Sequence, residues 1–145
     1  RFTYHNYLQG WYMEVDGNQA GRLCVVPEDT GRFAFCLWDR NYTRLDKLWT
    51  VYVLTGEDRS SVAVEDGRFI LLKTDTVVYA ACLEKAMEAC TVTAGEKYGV
   101  TCNLVTPTAG CTPEDVANTV ALLTSEEGRP FHGQVIKVIK DWTKG

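Results

Sequence analysis

The chain lacks most of what an enzyme or a metal protein requires. It has six cysteines but no C-x-x-C, and only His5 and His132 are available to complete a metal set, so no metal site is expected. A haem would have only those two histidines to bind, and neither lies in a motif, so no cofactor is expected either. Ser60, Ser61 and Ser125 stand outside any nucleophile-elbow context, and a nucleophilic serine needs a histidine base beside it. Gly10, Gly17 and Gly21 sit near turns without a phosphate-binding pattern. No run of lysines or arginines occurs and the formal net charge is −4, which argues against nucleic acid and lipid headgroups as partners. The longest apolar stretches, Phe69 to Leu72 and Thr76 to Leu83, are too short to span a bilayer. Internal repeats and low-complexity linkers are absent. The expectation is a non-enzymatic single domain over residues 1–145.

What the chain does have is cysteine on or beside short β-branched and aromatic runs: Cys24, Cys36, Cys82, Cys90, Cys102 and Cys111. An even number in such a setting reads as three disulfides in an exported, extracellular protein. A thiolate nucleophile would instead need an unpaired, activated sulfur. The expected local pairs are Cys24–Cys36 about the turn at Asp29-Thr30-Gly31, Cys82–Cys90 about the link Glu84–Glu88, and Cys102–Cys111 about a Thr/Pro/Gly loop. Asn41-Tyr42-Thr43 is a glycosylation sequon in a polar stretch, which suits a secreted glycoprotein. A start at Arg1 without an apolar leader fits a removed signal peptide, and fits equally a chain trimmed elsewhere.

Turn signals recur at short intervals through the first two thirds. They separate Trp11–Val15, Leu23–Val26, Phe33–Trp38, Leu48–Leu54, Val62–Glu65, Arg68–Lys73, Val77–Leu83 and Cys90–Ala94. Asp66-Gly67 is a two-residue hairpin signal because both positions tolerate positive φ. Roughly eight short strands with tight turns predict an all-β, up-and-down antiparallel barrel. Several strands are apolar on both faces, as in Phe33–Trp38 and Leu48–Leu54, which suits either a hollow barrel covered by a helix or a tightly packed two-layer domain. After Cys111 the period changes. Thr112 as cap, Pro113 at the first position and Glu114-Asp115 in the first turn predict a helix carrying Val116, Val120 and Leu123, stopped at Gly128-Arg129-Pro130. Val135, Val138, Ile139 and Trp142 follow at spacings of three and four, as a short amphipathic helix or as a final strand.

The segment Tyr7-Leu8-Gln9-Gly10-Trp11-Tyr12-Met13-Glu14-Val15 resembles the first block of the lipocalins, where a glycine and a tryptophan begin the first barrel strand. Thr74-Asp75-Thr76 before Val77–Cys82 resembles that family's turn before the seventh strand. Gly10 and Trp11 are adjacent where the family has a residue between them, Thr76 stands where tyrosine is usual, and the third block has no match. Divergent, disulfide-rich members such as those of blood-feeding arthropods often lose these marks and carry extra disulfides. The resemblance implies a barrel plugged by Trp11 and a C-terminal helix. It also implies a competing disulfide from Cys24 or Cys82 to Cys111.

Two functions follow as expectations. One is a secreted carrier of a small hydrophobic or amphipathic ligand, held by Phe35, Trp38, Trp49, Tyr52, Phe69 and Tyr79. The other is a disulfide-stapled module, an inhibitor or immune-evasion factor, that binds a host or extracellular protein through surface loops.

Overall fold

The computed structural model describes residues 2–98, 101–108 and 110–139. The chain opens with a hairpin, β1 (Phe2–Asn6) and β2 (Trp11–Val15), followed by a single helical turn, α1 (Gly17–Ala20). Next come β3 (Leu23–Asp29), β4 (Arg32–Leu37), β5 (Trp49–Leu54), a second helical turn α2 (Arg59–Val62), β6 (Phe69–Lys73) and β7 (Val78–Leu83). These five strands form one antiparallel sheet in the order β3-β4-β5-β7-β6. A long helix, α3 (Lys85–Tyr98), leads to β8 (Leu104–Pro107), α4 (Pro113–Thr124) and β9 (Val135–Val138). Strands β8 and β9 pair in parallel, so this last part is a βαβ unit.

Neither the expected all-β class nor its eight-stranded barrel is formed: α3 and α4 make this a mixed α/β fold with an open sheet. Closure needs every strand in one continuous ladder with a consistent stagger. Here β3 and β6 are the two ends of an open sheet, and the first hairpin pairs only with itself. That hairpin lies on the sheet instead of extending it. Tyr4, Trp11 and Met13 pack on Phe33, Phe35 and Val51, with Leu23, Val25, Trp49 and Val53 around them. Edge-to-face contacts join Trp11 to Phe33 at 5.6 Å and Tyr4 to Phe35 at 5.9 Å. Trp11 is therefore part of a two-layer core and not a barrel plug. The opposite sheet face packs Tyr52 and Leu54 with Ala63, Val78 and Ala80. Consecutive residues Phe33, Ala34, Phe35 and Cys36 of β4 and Thr50 and Val51 of β5 are all buried, which accounts for their two-sided apolar pattern without a lumen. Pro27 lies in the edge strand β3, where a missing N–H is tolerated.

Of two further expected strands, one is helical and the other is mostly turn. Cys90–Ala94 falls inside α3, where Ala86, Met87, Glu88, Ala89, Ala94, Glu96 and Lys97 supply helix formers that outweigh the β-branched Thr91-Val92-Thr93. Thr91 is buried, and its hydroxyl donates to the Met87 carbonyl at 3.0 Å. Gly95, one turn on, lets α3 lie directly against the backbone of His132 and Gly133. Val62–Glu65 is the end of α2 and a turn, pinned by the Arg68 guanidinium, which donates to the Val62 carbonyl at 3.0 Å. Asp66 and Gly67 do take positive φ, 49° and 76°, but they connect that turn to β6 and do not close a strand pair.

Helix α4 starts where its cap sequence dictates. The Thr112 hydroxyl accepts from the Asp115 N–H at 3.1 Å, and the Asp115 carboxylate accepts from the Thr112 N–H at 2.8 Å. Val135–Val138 is a strand, so the helical alternative for this segment is overturned. Its spacing of three and four is outweighed by pairing with β8, residue for residue from Leu104↔Val135 to Pro107↔Val138. Asp141 and Trp142 lie outside the described residues.

Candidate functional site: the aromatic tip of the first hairpin

Strand alternation gives the β1–β2 hairpin two chemically different faces. Tyr4, Trp11 and Met13 point at the sheet, and burial pushes the Tyr4 phenol above its ordinary pKa. On the outer face, His5 lies between two tyrosine rings. Its imidazole stacks on Tyr7 at 5.2 Å and 9°, and on Tyr12 at 5.7 Å and 25°. His5 Nε2 and the Thr3 hydroxyl share a hydrogen bond of 2.7 Å.

The four-residue connection Tyr7-Leu8-Gln9-Gly10 carries the apolar tip. Tyr7 is 87% exposed and Leu8 94%, and Tyr12 beside them is 64% exposed. The tip is nevertheless held. Gly10 takes φ +73°, a conformation that favours glycine, and its N–H donates to the Asn6 carbonyl at 2.9 Å. The Asn6 side-chain oxygen accepts from the Gln9 N–H at 3.0 Å. The Gln9 amide then reaches in two directions. It donates to the Thr30 carbonyl in the β3–β4 turn at 2.7 Å and accepts from the Trp11 indole N–H at 3.2 Å. One glutamine thus ties the tip to both the hairpin core and the sheet. Tyr7 and Leu8 were not among the expected contacts. Their signal in the sequence is an apolar pair placed inside a turn that ends in glycine, between two alternating strands.

The six aromatic residues expected to line a cavity do not converge. By register Phe35, Trp49, Tyr79 and Phe69 share one sheet face, and Tyr52 and Trp38 the other. Phe35 is wholly buried and stacks on Trp49 at 5.1 Å and 12°. Tyr52 lies under the Arg68 guanidinium, 4.3 Å from the ring centroid. Trp38 closes the end of β4, its N–H donating to the Arg22 carbonyl at 2.8 Å. Phe69 alone of the six borders an open groove of about 630 Å³ between β6 and the start of α4.

All six cysteines are free thiols in this structure. Cys24 and Cys36 are direct partners across β3 and β4. The other two expected pairs are separated by the elements between them. Glu84–Glu88 opens α3, so Cys90 is exposed on a helix while Cys82 lies on the sheet. Cys102 and Cys111 flank β8, whose first and last Cα atoms lie roughly 10 Å apart at about 3.3 Å per step, beyond the ~7 Å Cα reach of a disulfide. Burial and the neighbouring Cys24 push the Cys36 thiol above its ordinary pKa, and burial with the nearby Glu84 carboxylate does the same for Cys82. On this face Lys47 bridges Glu28 at 3.3 Å and Glu84 at 3.9 Å, and Glu84 accepts from the Thr50 hydroxyl at 2.7 Å. Burial works against the charge on Lys47, but the Glu28 hydrogen bond and the two carboxylates outweigh it and raise its pKa.

Asn41 and Thr43 of the sequon are exposed in a loop where Asp39 accepts from both of their N–H groups. Among the described residues, no group of three His, Cys, Asp or Glu gathers to hold a metal, and no helix is long and apolar enough to cross a membrane. Comparison with protein-family models, with curated proteins and with solved structures finds no match to this chain.

Proposed function

We propose that this is an exported, non-enzymatic module that binds an extracellular protein through the tip of the β1–β2 hairpin. The observation that carries the reading is the near-complete exposure of Tyr7 and Leu8 on a loop immobilised by Gln9. An apolar pair held out in water gains roughly 25 cal/mol for each Å² of apolar surface that a partner covers. Because the loop is already fixed, little of that gain is lost to ordering on binding. Tyrosine is enriched among the residues that dominate protein interfaces, and the His5–Tyr7–Tyr12 stack adds a broad aromatic flank to the knob made by Leu8. The exposed sequon at Asn41 supports export. A small-ligand carrier would need one enclosed apolar volume, whereas the six aromatic residues expected to supply it are divided between two packed faces.

The test is capture of partners from the extracellular fluid of the protein's source. Wild type is compared with Tyr7→Ala/Leu8→Ser and with a control, Leu122→Ser, whose side chain is also exposed. The expected result is a protein retained by wild type and control but lost by the tip variant at unchanged circular dichroism. Equal retention by all three would refute the assignment of the tip.

A further inference from the structure

Antiparallel pairing sets Cys24 and Cys36 directly opposite one another, and direct partners project from the same sheet face. The class of this pair follows from its neighbour. Trp38 N–H donates to the carbonyl of Arg22, which continues the same register two residues outward. Hydrogen-bonded pairs recur every second residue, so Cys24 and Cys36 form one too, with a Cα separation of about 5.5 Å. That lies within the usual disulfide range of about 4.4–6.8 Å. Cys36 is only 3% exposed, while Cys24 is half-buried on the edge strand β3.

We infer that Cys24 and Cys36 are a thiol–disulfide site that closes by exchange with a low-molecular-weight disulfide such as glutathione disulfide, with Cys24 as the point of entry. The Cys24 thiolate attacks one sulfur of glutathione disulfide, forming a mixed disulfide and expelling one glutathione thiolate, which takes up the proton that Cys24 lost. The Cys36 thiolate then attacks the Cys24 sulfur of that mixed disulfide and breaks its bond to glutathione, and the second glutathione leaves as a thiolate that takes up the proton lost by Cys36. Two protein thiols are oxidised to one disulfide, and one glutathione disulfide is reduced to two glutathiones. The order follows from access, since a bulky disulfide meets the half-buried sulfur before the enclosed one. In the pairs Cys82–Cys90 and Cys102–Cys111 the two cysteines are instead held on different elements or at opposite ends of β8.

Peptide mapping reads this directly, because trypsin cuts after Arg22, Arg32 and Arg40 and leaves Cys24 and Cys36 on separate peptides, 23–32 and 33–40. Folded, reduced protein is exposed to glutathione disulfide, quenched with acid, alkylated and digested without reduction. The expected product is peptide 23–32 linked to peptide 33–40 and free of glutathione. Recovery of the two as separate species, alkylated or each carrying glutathione, would overturn the inference. In Cys36→Ser the second step is blocked, so one glutathione should remain on peptide 23–32, and its absence from folded Cys36→Ser would overturn the entry point. If that variant does not fold, Cys24→Ser serves instead, with Cys36 expected to stay unmodified and glutathione on Cys36 counting against the order.

Discussion

Replacing Phe35 with alanine distinguishes a core residue from a ligand contact. The ring is wholly buried, stacked on Trp49 at 5.1 Å and met edge-on by Tyr4 at 5.9 Å. Phe33 and Val51 complete the buried cluster beneath the first hairpin. Removing the ring deletes those contacts and leaves a cavity between two layers tied together by β-ladders, so collapse to fill it is limited. Buried Phe→Ala substitutions cost roughly 3–5 kcal/mol, a large share of the total of about 5–15 kcal/mol that holds a domain together. At this chain length each kcal/mol lowers the melting temperature by about 2–4 °C, so a drop on the order of 10 °C is expected. Thermal melts and urea titrations of the reduced protein, followed by circular dichroism, measure it. The reasoning fails if Phe35→Ala melts within about 2 °C of wild type, because a ring that can be removed without cost is lining open space.

Gly95→Ala should destabilise the protein by about 1–3 kcal/mol in a urea titration, despite a gain of about 1 kcal/mol in helix propensity. The added methyl would run into the backbone of Gly133 and His132, and a stability equal to or above wild type would show that α3 does not rest there. Thr112→Ala removes the α4 cap, with an expected loss of about 1 kcal/mol; no change in the urea midpoint would mean that Pro113 alone sets the helix start. In reductant, stability should be flat up to about pH 9 and then fall. The buried Cys36 and Cys82 thiols have pKa values above their ordinary 9.0, so the folded state keeps protons that the unfolded chain releases as pH rises toward the folded values. Lys47, also raised, acts in the same direction at higher pH. A urea midpoint that rises above pH 9 would contradict this.

Local chemistry was legible in the sequence and long-range closure was not. The Phe33–Trp38 and Leu48–Leu54 runs mark β4 and β5, and Thr112-Pro113 with Asp115 marks the start of α4, because each signal is complete within a few residues. Cys90–Ala94 reads as a strand because Thr91-Val92-Thr93 are three β-branched residues in a row, whereas the helix is decided by the fourteen residues of α3 and by the close approach of Gly95 to Gly133. Two-sided apolar strands fit either a hollow barrel or a packed two-layer domain. The covering layer over Phe33, Phe35 and Val51 is the chain's own first hairpin, whose Tyr4, Trp11 and Met13 could as well have continued the sheet. Register then divides Phe35 and Trp49 from Tyr52 and Trp38, and period alone cannot reveal which strands are neighbours. The Cys24–Cys36 opposition was readable because both flank one short turn. The tip is not legible from periodicity, because Tyr7 and Leu8 lie in a four-residue turn and the strand signal begins only at Trp11.

Native mass spectrometry of the protein purified from its own source, with wild type and Tyr7→Ala/Leu8→Ser prepared side by side, decides whether the hairpin tip is the binding surface. The expected spectrum shows a wild-type protein free of small molecules in a stoichiometric complex with a protein partner, and a tip variant that is folded but uncomplexed. A stoichiometric small molecule retained by both forms, or a complex indifferent to the loss of Tyr7 and Leu8, would contradict that assignment.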